Sequence, residues 1–201
     1  MLTRLKQKFQ QWATSIAKAV HVIGLTPNRV SAIGTVFAFL SALAYWKWHL
    51  FNQLLLVTAP VFLLISGFFD ALDGVVARFY GQTTIFGGFF DSLLDRYADS
   101  TVFIGVILSN LCVLEWGLAA LIGSLLVSYT RARGEAAGVK MEAVGLAERA
   151  ERIIILATAT FVTMAWKEAL NWAIIILALL TNLTVLQRTF HFYKVSKKKQ
   201  E

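Results

Sequence analysis

The sequence predicts an all-α integral membrane protein, in which six transmembrane helices follow an N-terminal amphipathic juxtamembrane helix. Hydrophobic residues make up 57% of the 201 residues and the mean hydropathy is +0.64, which is too apolar for an ordinary soluble domain. Stretches long enough to cross a bilayer, roughly 20 residues each, cover residues 30–49, 54–78, 86–111, 113–133, 147–166 and 169–193. Charged residues interrupt the ends of three stretches, so counts of five or seven spans stay open.

Residues 1–24 precede the first span and have the pattern of a helix that lies on a membrane surface. Apolar side chains recur there at spacings of three and four residues, and basic side chains mostly occupy the other positions. Such a helix suits the anionic face of a bilayer. We therefore divide the chain into this helix, residues 1–24, and a six-helix membrane domain, residues 25–201.

The basic residues predict the orientation of the chain. Of the 19 Lys and Arg residues, only Lys47 and Lys167 fall on the outer side if the N-terminus is cytoplasmic. This bias follows the positive-inside rule and predicts a multi-pass protein of the cell membrane, with both termini and the active site on the cytoplasmic side. It also explains much of the net charge of +7, and we expect no nucleic-acid partner.

Acidic residues within the second and third spans are the main functional signal. Asp70 and Asp73, at i and i+3, share one helix face, and Asp91 and Asp95, at i and i+4, share another. A carboxylate at membrane depth costs on the order of 3 kcal/mol, so several together require a cation. Oxygen ligands favour Mg²⁺ or Mn²⁺, and four carboxylates suit two ions.

Two other interpretations of these acids remain open at this point. The carboxylates could pair with Arg78 and Arg96 in a purely structural role, although two arginines do not balance five aspartates, the four above and Asp99. They could instead form the pathway of a cation or proton transporter. A transporter accounts for the acids, but not for the glycines and threonines between them.

The same segment resembles the signature of the CDP-alcohol phosphotransferases. The matching positions, with the spacing of that family, are Asp70, Asp73, Gly74, Ala77, Arg78, Gly87, Asp91 and Asp95. The resemblance implies six transmembrane helices, usually in a homodimer, and a reaction that releases CMP as an alcohol is joined to a lipid phosphate. It further implies that Asp70, Asp73, Asp91 and Asp95 bind two metal ions, and that Asp95 is the general base.

The resemblance also implies which residues contact the CDP-linked lipid. They are Gly74, Arg78 and Thr84, together with the start of the first span, Asn28, Arg29, Val30 and Ser31. Asp99 lies one turn beyond Asp95 and outside the signature, and we interpret it as an acid that supports helix packing or the site.

Arginines near the fourth and fifth spans indicate the acceptor. Arg149 and Arg152 share a helix face, and guanidinium groups bind phosphate through paired hydrogen bonds. The alternative is ordinary positive-inside charge, interleaved with Glu148 and Glu151. The region resembles the inositol-phosphate-using branch of the family, which implies an acceptor site of Ser128, Arg131, Arg149 and Arg152, completed by Arg188. That branch often has lysine at the position of Arg131.

Together with the arginines, the resemblance implies a transferase that moves a lipid phosphate from CDP-diacylglycerol or CDP-archaeol to a hydroxyl of inositol 1-phosphate. The products would be CMP and a phosphatidyl- or archaetidylinositol phosphate. Glycerol 3-phosphate is the alternative acceptor within the same family.

Overall fold

The computed structural model describes residues 24–51, 53–141, 144–146 and 148–198. Within these residues the chain is all-helical, with six helices in the following order: α1 Pro27–Phe51, α2 Gln53–Phe79, α3 Ile85–Leu108, α4 Leu114–Ala136, α5 Arg149–Thr163 and α6 Ala169–Lys198. The predicted juxtamembrane helix falls almost wholly outside the described residues, and the division of the chain at residue 24 stays a prediction.

The helix that starts the bundle begins where its sequence favours a helix start. Pro27 occupies the first position of α1, where its missing N–H costs nothing because no intrahelical partner exists there. The carbonyl of Thr26 accepts the N–H groups of Arg29 and Val30 at 3.0 and 3.1 Å. This start fixes the direction in which Ser31 points, one turn into the helix.

The helices pack as an interlocked bundle. Helix α1 packs against α2 and α3, α5 packs against α2 and α6, and α4 packs against α3 and α6. The core contains fully buried side chains from both halves, among them Tyr45 and Ile174. The Tyr45 hydroxyl lies 2.7 Å from the hydroxyl of Thr160, and this buried hydrogen bond joins α1 to α5.

A glycine sets the distance between α1 and α3. A Cβ atom at Gly105 would lie 2.7 Å from the Cα of Ala42, closer than carbon atoms can approach. Small residues at helix crossings let membrane helices pack backbone against backbone. The pairing of α1 with α3 therefore depends on the absence of a side chain at this position.

Among the six described helices, three are long and apolar enough to cross a membrane by length and composition. Their ranges are Pro27–Leu50, Leu54–Phe79 and Ala169–Lys198, with mean hydropathies of 1.4, 2.0 and 2.0. Large apolar side chains such as Leu43, Trp46 and Phe190 are exposed on the outer surface of the bundle, as expected for a protein solvated by lipid. The chain is therefore a helical membrane protein.

The other three predicted spans are also helices, and two of them, α3 and α5, are more charged or shorter than the three apolar ones. Helix α3 carries Asp91, Asp95, Arg96 and Asp99 within its first 15 residues. Helix α5 has only 15 residues, about 22 Å at 1.5 Å per residue, whereas the predicted span ran from 147 to 166. Arg149 begins this helix and turns inward to acidic partners, so the apolar segment is shorter than its hydropathy indicated.

Candidate active site

The aspartates of α2 and α3 converge at one end of the bundle. One carboxylate oxygen each from Asp70, Asp91 and Asp95 lies within 4.8 Å of the others. Asp73 is buried beside them, and its Oδ2 accepts a hydrogen bond of 2.5 Å from the hydroxyl of Ser31. Three of the four predicted metal ligands thus meet directly, and the fourth is anchored by α1.

A tight turn brings the two acidic faces together. Gly81 has a φ of +62°, a left-handed conformation that glycine adopts without strain. Thr84 then caps α3, since its hydroxyl accepts the N–H of Gly87 at 2.9 Å. The chain therefore reverses between α2 and α3, and the i, i+3 face of one helix meets the i, i+4 face of the other.

Two arginines from α5 neutralise part of the acidic cluster. Nη1 of Arg149 forms an ion pair with Asp70 and lies 2.6 Å from Oδ1 of Asp95. Its Nε donates to Oδ1 of Asp99 at 3.0 Å, and Nη2 of Arg152 donates to Oδ2 of Asp99 at 2.8 Å. Sequence reasoning missed these pairs, because it placed both arginines only in the acceptor site.

The structural alternative based on Arg78 and Arg96 receives little support. Arg96 lies 3.8 Å from Asp95, which is beyond hydrogen-bonding distance. The guanidinium of Arg78 instead folds back over Gly74, where an added Cβ atom would come within 3.0 Å of Nη1. Gly74 therefore leaves room for the Arg78 side chain to cross the helix surface.

The donor set fits a divalent metal. Asp73 and Asp91 form no ion pair within 4.0 Å among the described residues, although both are partly or fully withdrawn from water. Nη1 of Arg149 is buried and approaches its two carboxylates without the alignment of a hydrogen bond. Clustered carboxylate oxygens with incomplete neutralisation are the ligands that hard divalent cations prefer.

A large open cavity of about 540 Å³ adjoins the aspartates. It unites the four predicted metal ligands with all five predicted acceptor residues, which are Ser128, Arg131, Arg149, Arg152 and Arg188. Arg188 and Arg131 differ in burial and in their hydrogen-bond partners. Arg188 is buried, and its guanidinium donates to the carbonyls of Val144 and Val127, whereas the exposed Arg131 pairs with Glu135 at 3.0 Å.

A second cavity of about 190 Å³ lies on the other side of the acids, between the starts of α1 and α3. It is lined by most of the predicted contacts to the CDP-linked lipid, namely Asn28, Ser31, Gly74, Arg78 and Thr84. Asp73, Gly74, Arg78 and Asp91 line both cavities. Asp73 and Asp91 therefore lie at the boundary between the two spaces, and Asp70 and Asp95 lie on the side of the larger one.

Two of the predicted lipid contacts have side chains elsewhere. Val30 is completely buried and packs with Leu72 and Val76. The guanidinium of Arg29 points back along the chain, to the carbonyl of Gly24 at 3.4 Å. The structure does not bring these two side chains to the cavity.

Comparisons with known proteins agree with this architecture. Residues 25–186 match the family described as CDP-alcohol phosphatidyltransferase. The chain is 37% identical to archaetidylinositol phosphate synthase of Pyrococcus horikoshii, over 96% of this chain and 97% of that protein. It is 44% identical to the protein of the same name from Methanothermobacter thermautotrophicus, over 69% and 71% of the two chains.

Solved structures of a related enzyme have a similar fold. The fold is similar to that of Mycobacterium tuberculosis phosphatidylinositol phosphate synthase with CDP-DAG bound, with a TM-score of 0.78, 30% identity and coverage of 90% and 93% of the two chains. A structure of that enzyme in complex with manganese and citrate matches equally well, with a TM-score of 0.78. With its aspartate cluster, its matching fold and the family match over residues 25–186, this chain belongs to the CDP-alcohol phosphatidyltransferase family of membrane transferases.

Proposed function

We propose that this transferase moves a lipid phosphate from a CDP-linked lipid, CDP-diacylglycerol or CDP-archaeol, to a hydroxyl of inositol 1-phosphate. The oxygen of that hydroxyl forms a bond to the phosphorus next to the lipid, and the bond from this phosphorus to the oxygen bridging to CMP breaks. CMP leaves, and the other product is an inositol phosphate lipid. The observation that carries the proposal is the position of Asp73 and Asp91 at the boundary between a small polar cavity and a larger arginine-lined one.

The small cavity fits the CDP moiety of the donor. Asn28, Thr84 and Gln82 line it together with Arg78, so that amide and hydroxyl groups for a nucleotide adjoin a cation for its phosphates. Gly87 keeps the cavity open, because a Cβ atom there would meet both Thr84 and Asn28. CDP-DAG is bound in the similar M. tuberculosis structure, and we assign the same class of donor to this chain.

The aspartates place the reactive phosphates. Asp70, Asp73, Asp91 and Asp95 would hold two Mg²⁺ or Mn²⁺ ions, and these would neutralise charge on the pyrophosphate and on the departing CMP. Asp95 lies on the side of the larger cavity, where it would accept the proton of the attacking hydroxyl. Ser31 holds Asp73 in place by its hydrogen bond of 2.5 Å.

The larger cavity fits an acceptor that carries a phosphate. Six arginines line it, and four of them are the predicted acceptor residues Arg131, Arg149, Arg152 and Arg188. Several guanidinium groups together bind phosphate strongly. The cavity therefore favours an acceptor with a phosphate group over a neutral polyol. Relatives named for inositol phosphate lipid synthesis support inositol 1-phosphate in particular.

The membrane arrangement extends this proposal. All six helices cross the membrane, the apolar α1, α2 and α6 shielding the charged α3 and the short α5. The site and both termini face the cytoplasm, and the chain forms a homodimer. Measuring protease access to a C-terminal tag in sealed vesicles tests the orientation.

The acceptor is tested by CMP release from purified protein with Mn²⁺ and CDP-diacylglycerol. We expect release with inositol 1-phosphate and little with free inositol, which lacks the phosphate. A higher kcat/KM with glycerol 3-phosphate than with inositol 1-phosphate would show that glycerol 3-phosphate is the acceptor, and the proposed type of reaction would stay the same. CMP release that none of the three acceptors stimulates would contradict the transfer and favour the transporter alternative.

A further inference from the structure

Asp99 is the acid that the reaction leaves unused, and its surroundings are unusual. It lies on α3 one turn beyond Asp95, and its side chain is only 11% exposed. Each of its carboxylate oxygens accepts a hydrogen bond from a different arginine: Oδ1 from Nε of Arg149 and Oδ2 from Nη2 of Arg152. One carboxylate therefore bridges two guanidinium groups.

The carboxylate of Asp99 reduces the repulsion between the guanidinium groups of Arg149 and Arg152. Arg149 and Arg152 follow each other at i and i+3 on α5, and their side chains are 17% and 5% exposed. Two guanidinium groups at such close quarters, with little water to screen them, repel each other unless an acid lies between them. Asp99 supplies that acid from a different helix.

The surroundings make the bridge rigid. Behind Asp99 and the two arginines lies a nearly filled space of about 20 Å³, lined mostly by apolar side chains such as Val102, Phe103 and Leu156. Buried ion pairs with several hydrogen bonds are costly to break in such surroundings. The two arginines, which line the large cavity on their other side, are thus fixed in position.

We propose that Asp99 is a positioning residue that holds Arg149 and Arg152 as one pair for the phosphate of the acceptor. The inference rests on the proposed function of the large cavity. It adds a role for a residue outside the aspartate signature, with a specific consequence. Asp99 acts on the affinity for the acceptor phosphate, and it does not act on the CDP-linked donor, whose cavity it does not line.

The test compares Asp99→Asn with Glu151→Gln in the full-length protein. Glu151→Gln is the matched control, since it also converts a carboxylate to an amide beside Arg152, but Glu151 is exposed and lines neither cavity. The initial rate of CMP release gives KM for inositol 1-phosphate and for CDP-diacylglycerol. Inorganic phosphate, as a competitor of the acceptor, gives an inhibition constant for the phosphate site alone.

For Asp99→Asn we expect KM for inositol 1-phosphate and the inhibition constant of phosphate to rise together by about tenfold to 100-fold, the range for loss of a hydrogen bond to a charged group. KM for CDP-diacylglycerol should change less than about twofold, and Glu151→Gln should match wild type. A uniform rise of both KM values, or a lower kcat with both KM values unchanged, would overturn the positioning role.

A second variant keeps the test valid if Asp99→Asn does not fold. Asp99→Glu retains the ion pairs but moves the carboxylate by one methylene, so the arginines shift and the same selective rise of the acceptor KM is expected. Wild-type constants in Asp99→Glu would overturn the role. If wild type uses glycerol 3-phosphate instead, the proposed acceptor fails, and the same comparison with that acceptor still decides the role of Asp99.

Discussion

Replacing Asp95 by Asn separates proton transfer from metal binding. Oδ1 of Asp95 lies 2.6 Å from Nη1 of Arg149, and an amide has nearly the same size and shape as the carboxylate it replaces. Asp95→Asn therefore removes charge and basicity with little change in packing. A positioned general base contributes typically 10²- to 10⁴-fold, so we expect kcat to fall by that factor, equivalent to about 3–5 kcal/mol of activation free energy.

Asp91→Asn is the matched comparison. Asp91 belongs to the same group of converging carboxylates, but it has no arginine within 4.0 Å among the described residues. Its loss should weaken metal binding without removing the base. Activity of this variant should then recover as the Mn²⁺ concentration is raised, whereas activity of Asp95→Asn should not.

The assay is CMP release at saturating CDP-diacylglycerol and inositol 1-phosphate over a titration of Mn²⁺. The expected result is a shifted metal dependence for Asp91→Asn and a lowered plateau for Asp95→Asn. Full recovery of Asp95→Asn at high Mn²⁺ would show that Asp95 is a metal ligand alone. Undiminished activity of Asp95→Asn would refute both of its roles.

Three further predictions concern the surroundings of the acids. Ser31→Ala removes the hydrogen bond to Asp73 and should weaken Mn²⁺ binding, measured by electron paramagnetic resonance, by about tenfold to 100-fold. Arg149→Gln removes a cation from beside the ligands Asp70 and Asp95, so Mn²⁺ binding should tighten while KM for the acceptor rises. Gly105→Ala should overpack the α1–α3 contact and cost about 1–3 kcal/mol of stability, which a thermal unfolding scan in detergent would detect.

Each of these predictions has a contradicting result. Unchanged Mn²⁺ affinity in Ser31→Ala would mean that Asp73 is not a ligand. Weaker Mn²⁺ binding in Arg149→Gln would mean that the guanidinium supports the metal site rather than competing with it. For Gly105→Ala the control is Gly88→Ala, where an added Cβ atom meets nothing within 4 Å. Equal unfolding midpoints in these two variants would contradict the close approach of α1 and α3.

The sequence predicted that the aspartates of α2 and α3 converge, because the decisive geometry is local. The spacing of Asp70 and Asp73, and of Asp91 and Asp95, fixes which helix face each pair occupies. A short turn with Gly81 leaves few ways to join the two faces. The helix bounds around these residues agree with the predicted spans to within a few residues.

Contacts between distant parts of the chain were not predictable in the same way. Arg149 is 50 residues from Asp99, and nothing in the spacing of either helix shows that they meet. The single signal was a surplus of acids over nearby arginines, which calls for a partner from elsewhere in the bundle. Val30 was predicted to contact the CDP-linked lipid because it lies next to Ser31 in the sequence. Its apolar side chain instead lies on the inner face of α1 and packs with Val76.

The central claim is that carboxylates from neighbouring helices hold divalent cations, and anomalous diffraction from crystals grown with Mn²⁺ tests it most directly. We predict two manganese peaks among the oxygens of Asp70, Asp73, Asp91 and Asp95. Aspartate side chains that point apart, with no manganese peak between them, would contradict the claim.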